Sequence, residues 1–353
     1  MIPSPSSGGR SASPPQQQVA IAIDLGGTNL RMGVLDGTGA ILHWQQENTP
    51  ATRQGVIDLI IGKVRDGLGL AQADGLKVLG VGISSGGRVN FKSGIIVHST
   101  SLLPDWKDVR IKDAIEQSLN IPAAVDNDGN CSAMAERVFG KAQSVDNFIS
   151  IALGTGIGGG IYVDGKLLRG ENNYAAEIGH VTVKADGPKC SCGGYGCVEL
   201  YASGSGLVRW VKEEFPELAH ASQDRELSAK SIGDAARSGN AEAANILGRA
   251  GKMLGAATAG WVNIFNPAMI VLSGSLVDLG EPYIGPFRKT VLEQAIKPSA
   301  DDLKIVFSDF HGKAGIIGAA SLAFQGSVGG NSSGVDTHKV DDTARSAPAR
   351  RAQ

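Results

Sequence analysis

Cysteine is scarce in this 353-residue chain, at four residues, and aromatic side chains make up only 5%. Neither sign of charge is in excess: 33 Lys and Arg stand against 35 Asp and Glu, a formal net charge of −2. So few cysteines, without any export signature, argue against a disulfide framework. The balanced charge removes the electrostatic case for nucleic acid or an anionic membrane surface as a partner. No apolar run approaches the ~20 residues that span a bilayer, so no membrane partner is expected. The opening stretch, MIPSPSSGGRSASPPQQQ, lacks the apolar h-region of a secretory signal. A cytoplasmic location is the expectation. Residues 1–18 and 326–353 are polar, rich in Ser, Pro and Gly, and read as disordered tails.

Glycine is abundant instead, at 49 residues, and falls in clusters. Strand and helix patterns alternate along the chain, so the fold class is α/β. VAIAIDLGG (19–27) reads as a buried strand ending in a glycine turn, LRMGVLD and GAILHWQQE as two further strands joined at DGTG. A helix follows over about 54–70, then the strand KVLGVGISSGG, the helix VRIKDAIEQSLN, the strand IPAAVDND and the helix GNCSAMAERVFG. At an offset of 128 the pattern returns: Ile23, Leu25, Gly26, Asp36 and Gly37 fall on Ile151, Leu153, Gly154, Asp164 and Gly165. This predicts one hairpin-rich unit in two copies, with both glycine turns at a shared cleft.

Gly-Thr turns free backbone N–H groups to converge on phosphate. Thr28 and Thr155 add hydroxyl donors, and Asp24 could hold Mg²⁺ through water. Neither turn is a Walker A loop. Gly154, Gly156 and Gly159 spell G-x-G-x-x-G, but IYVDGKLL after them is a strand pattern where a dinucleotide site needs a helix.

Three of the four cysteines lie within eight residues. With His180 they give H-x9-C-x-C-x4-C through Cys190, Cys192 and Cys197, a Cys₃His set suited to a closed, structural tetrahedral Zn²⁺ site. Glycines 187, 193, 194 and 196 let a short loop wrap a small ion. A metallated His180 would keep its second nitrogen as a fixed donor toward a ligand. Asp126, Asn127 and Asp128 crowd a strand-to-helix junction, where a single N-cap does not need three such residues. Glu177 and Glu199 flank the cysteine loop.

DLGGTNLR, VGISSGGRV, VDNDGNCSAMAE, GTGIGGGI, AAEIGH, CSCGGYGCVE and VLSG occur in that order. On these motifs the chain resembles the ROK family of sugar kinases and regulators, within the hexokinase, actin and heat-shock ATPase superfamily. The resemblance covers about residues 19–324. It implies a two-lobed, actin-like (ribonuclease H-like) fold with an interlobe cleft. The lobes would be 19–126 plus about 313–325, and 127–312 with the zinc loop at 180–197. GISSGGRVN, DNDGN and DGPKCSCGGYGC look most like the kinase half of bifunctional UDP-N-acetylglucosamine 2-epimerase/N-acetylmannosamine kinases. Gly86-Gly87 stands where family glucokinases more often have Pro-Gly, and NDGN where they have NDAN.

The resemblance implies an ATP- and Mg²⁺-dependent kinase acting on the 6-hydroxyl of a hexose or N-acetylhexosamine, N-acetylmannosamine first. Glucokinase is the alternative, and a non-catalytic sugar-binding regulator the alternative of another class. By position, Asp128 would be the catalytic base. Gly87, Arg88, Thr100, Asn127, Glu177, His180 and Glu199 would hold the sugar. Asp24, Gly27, Thr28, Asn29, Arg31, Thr155 and Gly156 would line the ATP phosphates and Mg²⁺, with VLSGSL (271–276) near the adenosine. Family regulators carry an N-terminal helix-turn-helix, for which some 18 residues before the first strand are too few. A homodimer is the assembly the family suggests.

Overall fold

The computed structural model describes residues 16–98, 105–217 and 227–328. Two five-stranded sheets organise it. The first contains β1 (Gln18–Leu25), β2 (Asn29–Asp36), β3 (Ile41–Asn48), β4 (Lys77–Ser85) and β7 (Ala123–Asn127), in the order β3-β2-β1-β4-β7. The hairpin β5 (Arg88–Asn90) and β6 (Ile95–His98) stands apart from it. The second sheet contains β8 (Phe148–Leu153), β9 (Ile157–Val163), β10 (Lys166–Leu167), β11 (Met269–Ser273) and β12 (Lys304–Phe307), in the order β10-β9-β8-β11-β12. Each sheet has two antiparallel pairings on one side of its first strand and two parallel pairings on the other. The two orders are the same, element for element. The offset of 128 carries the start of β2 at Asn29 onto the start of β9 at Ile157.

The α-helices among the described residues are α1 (Arg53–Ala73), α2 (Ile111–Leu119), α3 (Asp128–Phe139), α4 (Glu199–Ala202), α5 (Gly204–Glu214), α6 (Ala229–Arg237), α7 (Ala241–Phe265), α8 (Glu281–Gln294) and α9 (Ala314–Val328). Strand β1 is covered on both faces, which is why it reads as an unbroken apolar run. Val19, Ile21, Ile23 and Leu25 point to the core shared with α1 and α2, while Ala20 and Ala22 point to α9. The second face is made small for a reason. A Cβ on Gly82 of β4 would fall 1.6 Å from the Ala319 carbonyl oxygen, and one on Gly318 of α9 would fall 1.8 Å from that of Cys131 in α3. Helix α9 is thus wedged between the first sheet and α3, and is apolar nearly all round (AGIIGAASLAF). It runs to Val328, so the tail boundary read at residue 326 falls inside it; Gly326 alone does not break a helix.

This wedge gives a stability prediction. Gly82→Ala forces backbone apart from backbone, and should destabilise the protein by about 3 kcal/mol, the upper end of the usual cost of overpacking. Chemical denaturation measures it; an unchanged midpoint would show that the helix–sheet contact can relax. No helix among the described residues is long and apolar enough to cross a membrane.

Candidate active site

The parallel strands of the first sheet end side by side. Their register sets Asp24, Ser84 and Asp126 in one row, and Leu25, Ser85 and Asn127 in the next. Polar groups therefore collect at the carboxyl edge, where open α/β sheets bind ligands. Each of the three crowded polar residues of the junction has its own task. Asn127 caps α3, its Oδ1 accepting from the N–H groups of Gly129 (2.8 Å) and Asn130 (3.3 Å). Its Nδ2 donates to the Gly87 carbonyl at 2.9 Å. Asp126 is 1% exposed and accepts from Asn130 Nδ2, from the Asn127 N–H, and from two nitrogens of Arg169. Asp128, the first residue of α3, is left facing a cleft.

That cleft, about 700 Å³, is of ligand size. Asp128 lines it and is exposed to the cleft. Solvent reaches the carboxylate, but protein surrounds it, and the protein sets its charge state. Burial, then the negative charge of Asp24 and more weakly that of Glu177, raise its pKa to about 6, against the N–H of Gly129, which lowers it. Gly129 lets the start of α3 meet β9 of the second sheet, since a Cβ there would lie 2.4 Å from the Gly159 oxygen.

The second sheet also contributes to the cleft: β8 ends at Leu153, and the turn Gly154–Thr155–Gly156, which lines the cleft, leads into β9. The turn is held from behind. The Ile157 N–H donates to Glu199 Oε2 at 2.9 Å, the Gly204 N–H to the Gly154 oxygen at 2.8 Å, and the Ser205 hydroxyl to the Thr155 oxygen at 2.9 Å.

The cysteine loop adds His180, Ser191 and Cys192 to the cleft lining. The ligand atoms of His180, Cys190, Cys192 and Cys197 all fall within 4.8 Å of one another. His180 Nδ1 is 3.6 Å from Cys190 Sγ, and Cys192 Sγ is 3.6 Å from Cys197 Sγ. A tetrahedron with Zn–S bonds of about 2.3 Å has S–S edges of about 3.8 Å, so the donor set fits Zn²⁺ in type, number and spacing. Burial, and then the neighbouring thiols of Cys192 and Cys190, push the Cys197 pKa up to about 12. Such crowded thiols ionise together only around a cation. With Nδ1 turned to the sulfurs, His180 points Nε2 toward Glu177, 4.0 Å away, and Glu177 in turn lies 3.8 Å from Arg88 Nε. Ala176, just before Glu177, has φ +65°, a left-handed conformation unusual for a residue with a Cβ.

Gly87, Arg88, Asn127, Asp128, Thr155, Gly156, Glu177, His180 and Glu199 all line the cleft. Asp24, Gly27, Thr28, Asn29 and Arg31 do not lie on its wall; they sit at the adjoining end of the first sheet. There Asp24 accepts from Ser84 Oγ at 3.0 Å and pairs with Arg31 Nη1 at 3.1 Å. Thr100 lies outside the described residues. Ser132, Ser191 and Ser205 line the cleft without having been singled out in the sequence, and so does the link from Asp126 to Arg169 go unseen there. Lone serines give no pattern, and a pair 43 residues apart gives none either.

The sequence profile of the ROK family matches residues 20–326. A glucokinase of Streptomyces coelicolor is 33% identical over 322 residues, covering 86% of this chain and 97% of its own length. The crystal structure of a ROK family glucokinase from Streptomyces griseus, in complex with glucose and AMPPNP, is 35% identical, with a TM-score of 0.75 over 87% of this chain and 99% of that one. A protein of Listeria monocytogenes described as a putative N-acetylmannosamine kinase shares the fold at 23% identity, with a TM-score of 0.72 over 87% of this chain and 99% of that one.

Proposed function

We propose, because this chain belongs to the ROK family and is an ATP-dependent kinase of hexoses, that glucose is its acceptor and that Asp128 is the base that serves the 6-hydroxyl. The observation that carries the reading is the placement of Asp128. It lines one cleft together with Glu177, His180 and Glu199 and with the Thr155–Gly156 turn, and the charge of Glu177 is felt at its carboxylate.

Phosphoryl transfer runs through a loose transition state, so positioning and charge stabilisation do most of the work. The hydroxyl must lie within hydrogen-bond reach of the base. A carboxylate with a pKa of about 6 is ionised at neutral pH and more basic than an ordinary aspartate. Proton transfer to it comes late, as charge builds on the attacking oxygen. Glu199 has one oxygen on the Ile157 N–H and the other free to accept from a sugar hydroxyl. Asn127, with its oxygen and one amide proton engaged, offers its second amide proton. His180 offers Nε2–H once Nδ1 faces the metal. Paired to hydroxyls in this way, the site rejects sugars that lack them. Thr155 and Gly156 face the nucleotide phosphates, together with Gly27, Thr28, Asn29 and Arg31 as the lobes close. Mg²⁺ neutralises phosphate charge when bound, and Asp24 with the Ser84 hydroxyl supplies the hard oxygens for its hydration shell. We take the lobes as residues 19–126 with 313–325, and 127–312, closing to exclude water.

Glucose ranks first because the relatives at 33% and 35% identity, matched over nearly their whole lengths, are glucokinases. N-acetylmannosamine is the second reading, favoured by GISSGGRVN, DNDGN and DGPKCSCGGYGC. An ADP-release assay with Mg-ATP across glucose, N-acetylmannosamine, N-acetylglucosamine and mannose decides. The expected result is the highest kcat/KM with glucose. A clear preference for N-acetylmannosamine would replace the first reading by the second, and no release with any sugar would favour a sugar-binding regulator.

A further inference from the structure

Three separate segments form the acceptor side of the cleft. The β5–β6 hairpin brings Arg88, the β7–α3 junction brings Asn127 and Asp128, and the loop from residue 169 to 180 brings Glu177 and His180. One residue outside the cleft wall joins all three: Arg169 belongs to the third segment by its main chain, and its side chain reaches the other two. Arg169, just after β10, gives Nη2 (2.7 Å) and Nε (3.1 Å) to Oδ2 of Asp126, two residues before Asp128. Its guanidinium lies 3.9 Å from the ring centroid of Phe91, the residue after β5. Its own carbonyl oxygen accepts from the Ala175 N–H at 3.0 Å, closing the loop that leads to Glu177.

We propose that Arg169 is a positioning residue that locks the three acceptor-side segments into one register, so that a sugar bound by Glu177 and His180 presents its hydroxyl to Asp128. This rests on the reading of Asp128 as the base.

The chemistry of the contact suits a lock. The pair joins the edge of the first sheet to a loop of the second, through a carboxylate that is almost wholly buried. The other oxygen of Asp126 holds the Asn127 N–H and Asn130 Nδ2, so the capped start of α3 moves with it. A two-nitrogen contact fixes angle as well as distance, and the planar guanidinium stacks on an aromatic face while doing so. A lysine can do neither. Removing one partner leaves the other buried and charged, which turns the lock into a source of disorder at the junction. The phosphate turn at 154–156 is held by other groups, Glu199, Gly204 and Ser205, and is independent of this contact.

The test uses the full chain and compares wild type with Arg169→Met, Arg169→Lys, Phe91→Leu and Asp128→Asn. Titration calorimetry with glucose, with N-acetylmannosamine and with Mg-ATP gives affinities without turnover, and the coupled assay gives kcat. Arg169→Met is expected to weaken binding of the better sugar about tenfold and to lower kcat about tenfold, with Mg-ATP affinity within about twofold of wild type. Arg169→Lys should recover only part of both losses, and Phe91→Leu should weaken sugar binding a few-fold. Unchanged sugar affinity in Arg169→Met, with only less active protein, would overturn the proposal, as would sugar and Mg-ATP affinities falling together. If Arg169→Met does not fold, Arg169→Lys and Phe91→Leu decide by the same split. Normal turnover in Asp128→Asn would instead remove the base assignment, whatever the Arg169 variants do.

Discussion

Asp128→Asn is expected to lower kcat by about 10²- to 10⁴-fold, the usual contribution of a positioned base, while sugar affinity stays near that of wild type. Asparagine keeps the size of the side chain and the start of α3, because Asn127 and not Asp128 caps that helix. It removes only the basic oxygen. The same carboxylate sets a pH dependence. Burial and the charge of Asp24 raise its pKa to about 6, so the active, ionised form dominates above that pH and is lost below it. In wild type, log kcat/KM should be flat near pH 7.5 and fall with a slope approaching one below about pH 6. An acid limb near pH 4, the ordinary aspartate range, would mean that the cleft does not enclose the group as described. The residual activity of Asp128→Asn should not follow that limb.

The second large effect belongs to the cysteine loop. Removing zinc by chelation, or replacing Cys197 by Ser, is expected to lower thermal stability and to weaken sugar binding by at least about tenfold. Both losses have one origin. The loop holds His180 through Nδ1, and it leads directly into Glu199, two residues beyond Cys197. Glu199 is bound to the turn at Ile157, so a loosened loop disturbs the sugar ligands and the phosphate turn together. Metal analysis of the active protein should give one zinc per chain. Full activity in protein stripped of zinc would contradict the structural role.

Much of this was legible in the sequence because it is local. The Cys₃His set shows itself by spacing over eighteen residues, and the donor atoms do come together. The doubled strand–turn–strand pattern rests on five identities at an offset of 128, and the two sheets repeat one strand order. What stayed hidden is long-range. Nothing in the sequence around Arg169 marks it as the partner of Asp126, because the contact depends on how one sheet meets the other. The polar residues at 126–128 look alike in sequence, but packing divides them into an ion-paired anchor, a cap and a carboxylate that faces the cleft. The first glycine turn was expected beside the second at one cleft. The structure leaves β1 in the same row as the ends of β4 and β7, which lead into the cleft at Gly87 and Asp128, and Arg31 is turned to Asp24.

The most direct test of the central claim is to identify the product. The full chain is incubated with Mg-ATP and glucose, and the mixture is followed by ³¹P NMR beside a parallel reaction with Asp128→Asn. The account predicts that a sugar 6-phosphate resonance grows with ADP in the wild-type reaction and is nearly absent from the variant. ADP formed with inorganic phosphate alone, or equal sugar phosphate in both reactions, would contradict it.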